Sequence, residues 1–464
     1  MASAGVSARN VLAPLALAQF ICSFAGSNMN VMINDISQDL DTTVKGVQTT
    51  ITLFLLIMAV LMIPGSKLTD RWGRKRCFVG GLVLYGIGAL LSAASPGLGV
   101  LILGNSVFEG VGTALLIPPV YILATMAFTD VTSRARAFGI ISGAGGVGAA
   151  AGPLIGGLIA TAISWRAAFV FQALIVATIV LLGRRLADPV APDPTRSFDI
   201  TGAVLSGAGM FFIVLGILQA GTNGTLLIVF LALGAVLLLL CGLHFRAEER
   251  SGKEPLLSLS LFRNRTSNLG LVTQNIQWLL LMGISFVVSV FLQTVRDFNS
   301  IQTGVVFTAT TAGILISSLA AERLAKRHTQ RMLIRTGFVV TIAGIGLLLG
   351  LALASKAVAV FVPGLFTIGL GLGVMLTPSV NIVQSSFSES QQGEISGLSR
   401  SISNLGSSFG TAIAGTILVA DLSGNRSYVL AMVTLAVFAL IGLAAALRLP
   451  AEEAQPRERL AAGS

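Results

Sequence analysis

Charge is what this 464-residue chain has least of: Asp, Glu, Lys and Arg make up 11% of it, against about 25% in an average soluble domain. With 30 basic and 20 acidic side chains, the surface of a soluble fold of this size cannot be clothed, which excludes that class. Cysteine and histidine are scarce as well. Cys22, Cys77 and Cys241 are odd in number and have no paired spacing, which argues against a disulfide framework and a metal site. His244 and His328 fall near the ends of apolar runs. No Ser, His and Cys constellation for catalysis is present, so no enzyme, cofactor or metal is expected. A G-x-x-x-x-G-K-[ST] phosphate loop is also missing, which argues against ATP-driven pumping by this chain alone. Aromatic residues reach only 7%, with three Trp and three Tyr, too few for the stacked-ring sites that sugars favour. No Arg or Lys stands out deep inside an apolar run, which argues against multiply charged anions as ligands.

Apolar residues are abundant, at 54%, with a mean hydropathy of +0.86. Disorder is excluded by that content, and the 52 glycines follow no period of three, which excludes a collagen-like chain. Fourteen runs reach the roughly 20 residues that a membrane span requires. They cover residues 11–33, 47–67, 77–95, 99–126, 137–161, 166–183, 199–219, 225–245, 267–294, 301–321, 332–353, 357–384, 396–420 and 427–448. The expected fold class is therefore an all-α polytopic membrane protein in contact with membrane lipids. The first run spans a membrane by its length and lacks the small-residue cleavage pattern of a signal peptide.

An even number of spans puts both termini on one side. With the N-terminus inside, 25 of the 30 Lys and Arg lie in cytoplasmic segments, and only Lys45, Arg166, Arg296, Lys356 and Arg426 lie outside. The positive-inside rule then makes both termini cytoplasmic. The net charge of +10 reflects the same bias and implies no nucleic-acid partner. No soluble domain is hidden between spans. The polar stretch 184–198 reads as a Pro-rich linker, and 246–266 as a loop with an interfacial apolar side from Leu256, Leu257, Leu259, Leu261 and Phe262.

Several stretches are specific. The loop after the second span carries Gly65, Asp70, Arg71, Gly73 and Arg74 in the spacing G-x-x-x-x-D-R-x-G-R-K-R, with Gly65 and Gly73 expected at helix ends. The fifth run carries Gly148, Gly152, Pro153, Gly156 and Gly157 as G-x-x-x-G-P-x-x-G-G. Glycines four apart share one helix face and let another helix approach closely, and Pro153 can kink the helix. Ser164-Trp165-Arg166-Ala-Ala-Phe169, Phe198-Asp199-Ile-Thr-Gly202 and Gly393-Glu-Ile-Ser-Gly397-Leu-Ser-Arg400, with Asn404-Leu-Gly406-Ser-Ser-Phe-Gly410, open or precede later spans.

Together these motifs resemble those of the major facilitator superfamily, in its fourteen-helix drug:proton antiporter family, and the resemblance covers essentially the whole chain. It implies two six-helix bundles, 11–183 and 267–448, separated by two extra transmembrane helices at 199–245. It implies that Asp70 and its basic neighbours form a conformational latch, at roughly 0.3–1 kcal/mol for an exposed charge–dipole contact. It implies that the Gly148–Gly157 string marks the antiporter branch, hence export and multidrug efflux with drug resistance. A bacterial inner (plasma) membrane and a monomer are further expectations of the resemblance.

The sequence departs from that family in two places. Ala25 stands where the first span usually carries an acid, and Ser106 where the fourth usually carries Arg. Glu109, in the same fourth span, is the one acid well inside an apolar run. An ionised carboxylate is costly there, so the neutral acid is favoured. Glu109 is thus a candidate for proton coupling or for a substrate cation. The other reading is a protonated side chain hydrogen-bonded to a neighbouring helix. Asn28 and Asn30, with Gln274, Asn275 and Gln277, are candidate substrate-cavity amides, interhelical hydrogen bonding being the alternative for each.

The expected function is secondary active export of hydrophobic or amphipathic small molecules, cations among them, by proton antiport with alternating access. The alternatives are an uncoupled facilitator or lipid-like metabolite exporter of the same fold, and a non-transporting membrane receptor or scaffold. Reporter fusions at residue 190, residue 254 and the C-terminus should all read as cytoplasmic; an extracellular signal from any of them overturns the topology.

Overall fold

The computed structural model describes residues 8–128, 131–184, 186, 192–193, 198–220, 222–325, 327–354, 357–387, 391–419 and 425–450, and every regular element among them is helical. In lipid that is what the sequence demands, because a helix satisfies its own backbone polar groups. In chain order these are α1 Ala8–Asn28, α2 Ile33–Asp39, α3 Val44–Trp72, α4 Arg74–Ala93, α5 Leu98–Leu101, α6 Gly110–Ala127, α7 Val131–Ala162 and α8 Trp165–Gly183. They continue as α9 Ile200–Leu218, α10 Gly224–Arg250, α11 Arg265–Val290, α12 Ser300–Ala325, α13 Gln330–Ala354, α14 Phe361–Gln384, α15 Gln392–Val419 and α16 Asn425–Leu447. A 3-10 turn, Met29–Met32, links α1 to α2, and π-helical turns occupy Ile102–Glu109 and Phe291–Val295.

Helix starts follow the side chains that satisfy free N–H groups. Thr43 accepts from Gly46 N–H at 3.1 Å, Asn223 from Leu226 at 3.1 Å, and Asn264 from Ser267 at 3.0 Å. Gly73 alone joins α3 to α4, at φ 99°, a backbone conformation that glycine adopts without strain. Gly65, expected at a helix end, instead lies within α3, which runs unbroken to Trp72. Its missing side chain serves packing: a Cβ there would collide with the Ala114 carbonyl of α6.

Among the described residues, twelve helices are long and apolar enough to cross a membrane, and α7, bent by 41° between Gly143–Ala149 and Ala151–Ala162, makes a thirteenth. Pro153 sits just beyond that bend and deprives the helix of one hydrogen bond. The last of the fourteen expected spans, 396–420, falls on α15. At 28 residues it is long enough, but Ser396, Ser399, Ser401, Ser403, Ser407 and Ser408 dilute its apolarity. The reason becomes clear in the packing, where those hydroxyls face neighbouring helices.

Lipid removes the hydrophobic gain from helix association, so close backbone packing has to replace it. The same contacts recur in the first six long helices and the last six. In the first, Gly148 and Gly152 of α7 press on the Phe20 carbonyl and Ser27 of α1. In the last, Gly406 and Gly410 of α15 press on the Asn275 and Leu279 carbonyls of α11. Gly81 of α4 meets the Gly112 carbonyl of α6, and Gly337 of α13 meets the Gly371 carbonyl of α14; an added Cβ would lie 2.7 Å away in both cases. This repetition is how internal repeats of carriers present themselves. The remaining pair stands at the periphery: α9 docks by Val214 and Leu218 on Leu56 of α3 and Ala412 of α15, while α10 turns Ile228, Leu239 and Leu243 outward.

Gly148→Ala should lower stability by about 1–3 kcal/mol through overpacking. Gly146→Ala, with no atom within 4 Å of the new Cβ, should be neutral or stabilising by up to about 1 kcal/mol. Thermal unfolding in detergent reads both, and equal midpoints would contradict the packing assignment.

Candidate transport site

The two six-helix halves meet along a seam of side chains bonded to backbone. On α3 and α15, Gln48 Nε2 donates to the Thr411 and Ala412 carbonyls, both at 3.2 Å. Ser408 Oγ donates to the Thr52 carbonyl at 3.1 Å, and Ser401 Oγ to the Ala59 carbonyl at 2.5 Å. At one end of the seam, Asn34 N–H donates to Gln293 Oε1 at 3.0 Å, and Gln293 Nε2 donates to the Asn30 carbonyl at 3.1 Å. Ser300 Oγ donates to Asp35 at 2.5 Å, and Ile301 N–H to Thr161 Oγ1 at 3.1 Å. Gly157 lies against the Ser300 backbone, and Gly304 of α12 against the Pro153 carbonyl. The glycine string of α7 thus has two uses: one face holds α1 within its own half, and its end touches the other half.

Interhelical hydrogen bonds in membranes contribute about 0.6 kcal/mol each. The four polar bonds at this end therefore amount to roughly 2–3 kcal/mol, in the range over which a carrier's two states exchange. At the opposite end, Arg400 of α15 donates to Tyr121 OH of α6 at 2.6 Å.

Glu109 does not face the seam. It is fully buried and closes the π-helical turn, a feature often found at functional positions. Ser92 Oγ of α4 donates to Oε1 at 3.3 Å, and Asn105 Nδ2 to Oε2 at 3.3 Å. Tyr85 OH donates to Gln172 Oε1 of α8 at 2.5 Å and also reaches the Glu109 carboxyl. A Cβ on Gly88 of α4 would sit 2.9 Å from Glu109 Cγ. The carboxyl is thus enclosed by α4 and α8 within the first half. Ser106, in the place where the family carries Arg, donates to the Thr50 carbonyl at 2.8 Å. Ala25 is buried.

The amides divide. Gln274 accepts from Ser399 at 3.0 Å and donates to Ser403 at 2.8 Å, and Asn275 donates to the Ile402 carbonyl at 2.9 Å. Both hold α11 to α15. Asn28 is buried beside Gly156, and its Nδ2 makes no protein hydrogen bond; nor does Oδ1 of Asn30. Gln277 is 1% exposed, and neither atom of its amide is bonded. Asn28, Asn30 and Gln277 are thus the expected cavity amides that keep an unbonded polar atom, which water or a ligand can satisfy.

In the segment expected to form a latch, Arg74 pairs with Asp70 at 2.8 Å across the Gly73 turn, and the Asp193 N–H donates to the Asp70 carbonyl at 3.3 Å. Gly397, near the start of α15, lies over Ser66, which puts this segment beside the other half. Arg71 shares its helix end. In the F-D-x-x-G stretch, Asp199 caps α9 by accepting from Gly202 N–H at 2.7 Å. It also bonds His244 Nε2 at 2.8 Å and Leu256 N–H at 3.1 Å. Asp199 thereby ties α9, α10 and the 246–266 loop together.

Two features were not anticipated. Arg400 is a cation eight residues inside a helix and on the seam, contrary to the expectation that no deep Arg exists. An arginine inside the 396–420 run was the available signal. Gln48 and Gln293, the seam's amide donors, carried no signal beyond their polarity.

A polytopic helical membrane protein with two repeated halves and a polar seam has the architecture of a secondary carrier. The family model of the Major Facilitator Superfamily matches residues 15–411 and 276–464, and the chain belongs to that superfamily. It is similar to the puromycin resistance protein pur8 of Streptomyces alboniger, at 29% identity over 86% of this chain and 80% of the relative. It is also similar to the multidrug efflux pump LfrA of Mycolicibacterium smegmatis, at 29% over 81% and 74%. The riboflavin transporter RibZ of Clostridioides difficile is 26% identical over 90% of both chains.

Asp199→Ala should cost about 1–2 kcal/mol through the lost cap, with Asp199→Asn milder. A thermal midpoint unchanged in Asp199→Ala would remove its structural role.

Proposed function

We propose that the protein exports hydrophobic or amphipathic small molecules from the bacterial cytoplasm across the plasma membrane, working as a monomer with both termini inside. The observation that carries this reading is the seam: two repeated halves joined by weak side-chain-to-backbone bonds, closed at the Asn34–Gln293–Ser300 end. In the orientation given by the basic residues, that end is the outer one. Opening it costs the few kcal/mol of those bonds together with the Gly157–Ser300 and Gly304–Pro153 contacts, and closure at the other end, where Asp70 and α15 lie, supplies the return state. The resistance and efflux functions in the names of pur8 and LfrA support a drug-like cargo. Asn28, Asn30 and Gln277 are the amides available to it.

Proton antiport is the proposed energy source, with Glu109 as its carrier. Enclosure by Ser92, Asn105 and Tyr85 favours a carboxyl that exchanges a proton over one that binds a substrate cation. The same enclosure favours a second reading, an uncoupled carrier in which Glu109 only links α4 to its own helix.

Purified protein in sealed liposomes containing a pH-sensitive dye separates the two. Under an imposed pH gradient, a labelled lipophilic drug should move together with protons, and Glu109→Gln should lose the proton flux while keeping its fold. Drug movement without protons in the wild type would establish the uncoupled reading. A Glu109→Gln protein that still couples would remove Glu109 from the mechanism, and no movement of either would overturn export itself.

A further inference from the structure

Among the described residues, Arg400 is the only cation hydrogen-bonded across the two halves. It is half-buried. Its one hydrogen-bond partner is Tyr121 OH at 2.6 Å, and its guanidinium carbon stands 5.2 Å from the centre of the same ring. The Tyr121 hydroxyl in turn donates to Gln19 Oε1 of α1 at 3.4 Å. Three helices, α1, α6 and α15, therefore meet around one positive charge.

A guanidinium has five N–H donors, and a single neutral acceptor leaves most of them unused. A charge withdrawn from bulk water without a counter-charge is costly to keep. The acids that might neutralise it are engaged elsewhere. Asp70 pairs with Arg74, Glu394 accepts from Ser258 N–H at 2.7 Å, and Glu109 is enclosed beside α4. No carboxylate pairs with Arg400 among the described residues. The site is electrically incomplete, and a planar guanidinium offers a matching fork to a carboxylate, sulfonate or phenolate.

We propose that Arg400, with Tyr121 and Gln19, is the anion-binding end of the transport site, and that the cargo is an amphipathic organic monoanion. This rests on reading the seam as the transport path. The anion completes the unused donors of Arg400, and the apolar body of the cargo lies along the seam, whose carboxyl group, Asp35, stands at the opposite end bonded to Ser300. A lipophilic cation has the opposite experience: it meets Arg400, and the carboxyl of Asp35 lies at the other end of the seam, bonded to Ser300.

The test uses a matched pair of permanent ions on one ring system, tritiated 2-naphthalenesulfonate and 2-naphthyltrimethylammonium. Equilibrium binding is measured to the full chain in lipid nanodiscs, alongside flux of a neutral lipophilic drug in liposomes. The wild type should bind the sulfonate at least about tenfold more tightly than the ammonium. Arg400→Gln should weaken sulfonate binding about tenfold to hundredfold, the range for hydrogen bonds to a charged group. Arg400→Lys, which keeps the charge, should retain the preference for sulfonate at lower affinity. Loss of that preference in Arg400→Lys as well would make the guanidinium a structural link between halves and overturn the proposal.

Sulfonate binding that is absent, or equal in Arg400→Gln, overturns the proposal while drug flux leaves the transport reading standing. Arg400-dependent sulfonate binding without any flux upholds the anion site and sinks the transport reading. Neither binding nor flux removes both.

Discussion

Close approach of one helix backbone to another, at glycine, is the contact on which this structure depends. In lipid an apolar side chain gains little by leaving the bilayer for a helix interface, so dispersion between well-fitted surfaces has to hold the bundle together. Gly148 and Gly152 against α1, Gly406 and Gly410 against α11, and the Gly81–Gly112 and Gly337–Gly371 pairs are points where a methyl group would push helices apart. The same close approaches recur in the first six long helices and the last six, as in the internal repeats of carriers.

The seam between the halves is built on a different principle. Apart from the Gly157–Ser300 and Gly304–Pro153 approaches at one end, the contacts there are hydroxyl and amide side chains reaching carbonyls already bonded within their own helices: Gln48, Ser401, Ser408 and Gln293. Each such bond is weak and leaves no helix broken when released. Stiffness within halves and weak polar contact between them separate the two energy scales. Unfolding a half means losing its glycine packing, while moving one half against the other means exchanging a few bonds.

Charge follows the same division. The enclosed carboxyl of Glu109 and the half-buried guanidinium of Arg400 are on opposite sides of the partition, one inside a half and the other at the seam. The two are separate polar centres, each held by its own partners: Ser92 and Asn105 for the carboxyl, Tyr121 for the guanidinium.

The sequence by itself determined the all-α polytopic membrane class and the superfamily. Transfer free energy and helical period are local properties, readable from runs such as 427–448 or from glycines four apart. For Glu109 it left proton coupling and a bond to a neighbouring helix open, and its partners Ser92 and Asn105 come from packing around the π-helical turn over Ile102–Glu109. For Gln274 and Asn275 it left cavity lining and interhelical bonding open, and in the structure they bond Ser399, Ser403 and the Ile402 carbonyl, more than a hundred residues away. Gly65, read as a helix end, proved to be a packing contact with Ala114. Only the tertiary structure decided which polar residues are satisfied and which are left open, since that depends on partners such as Tyr121 and Arg400, 279 positions apart, whose meeting no local pattern encodes.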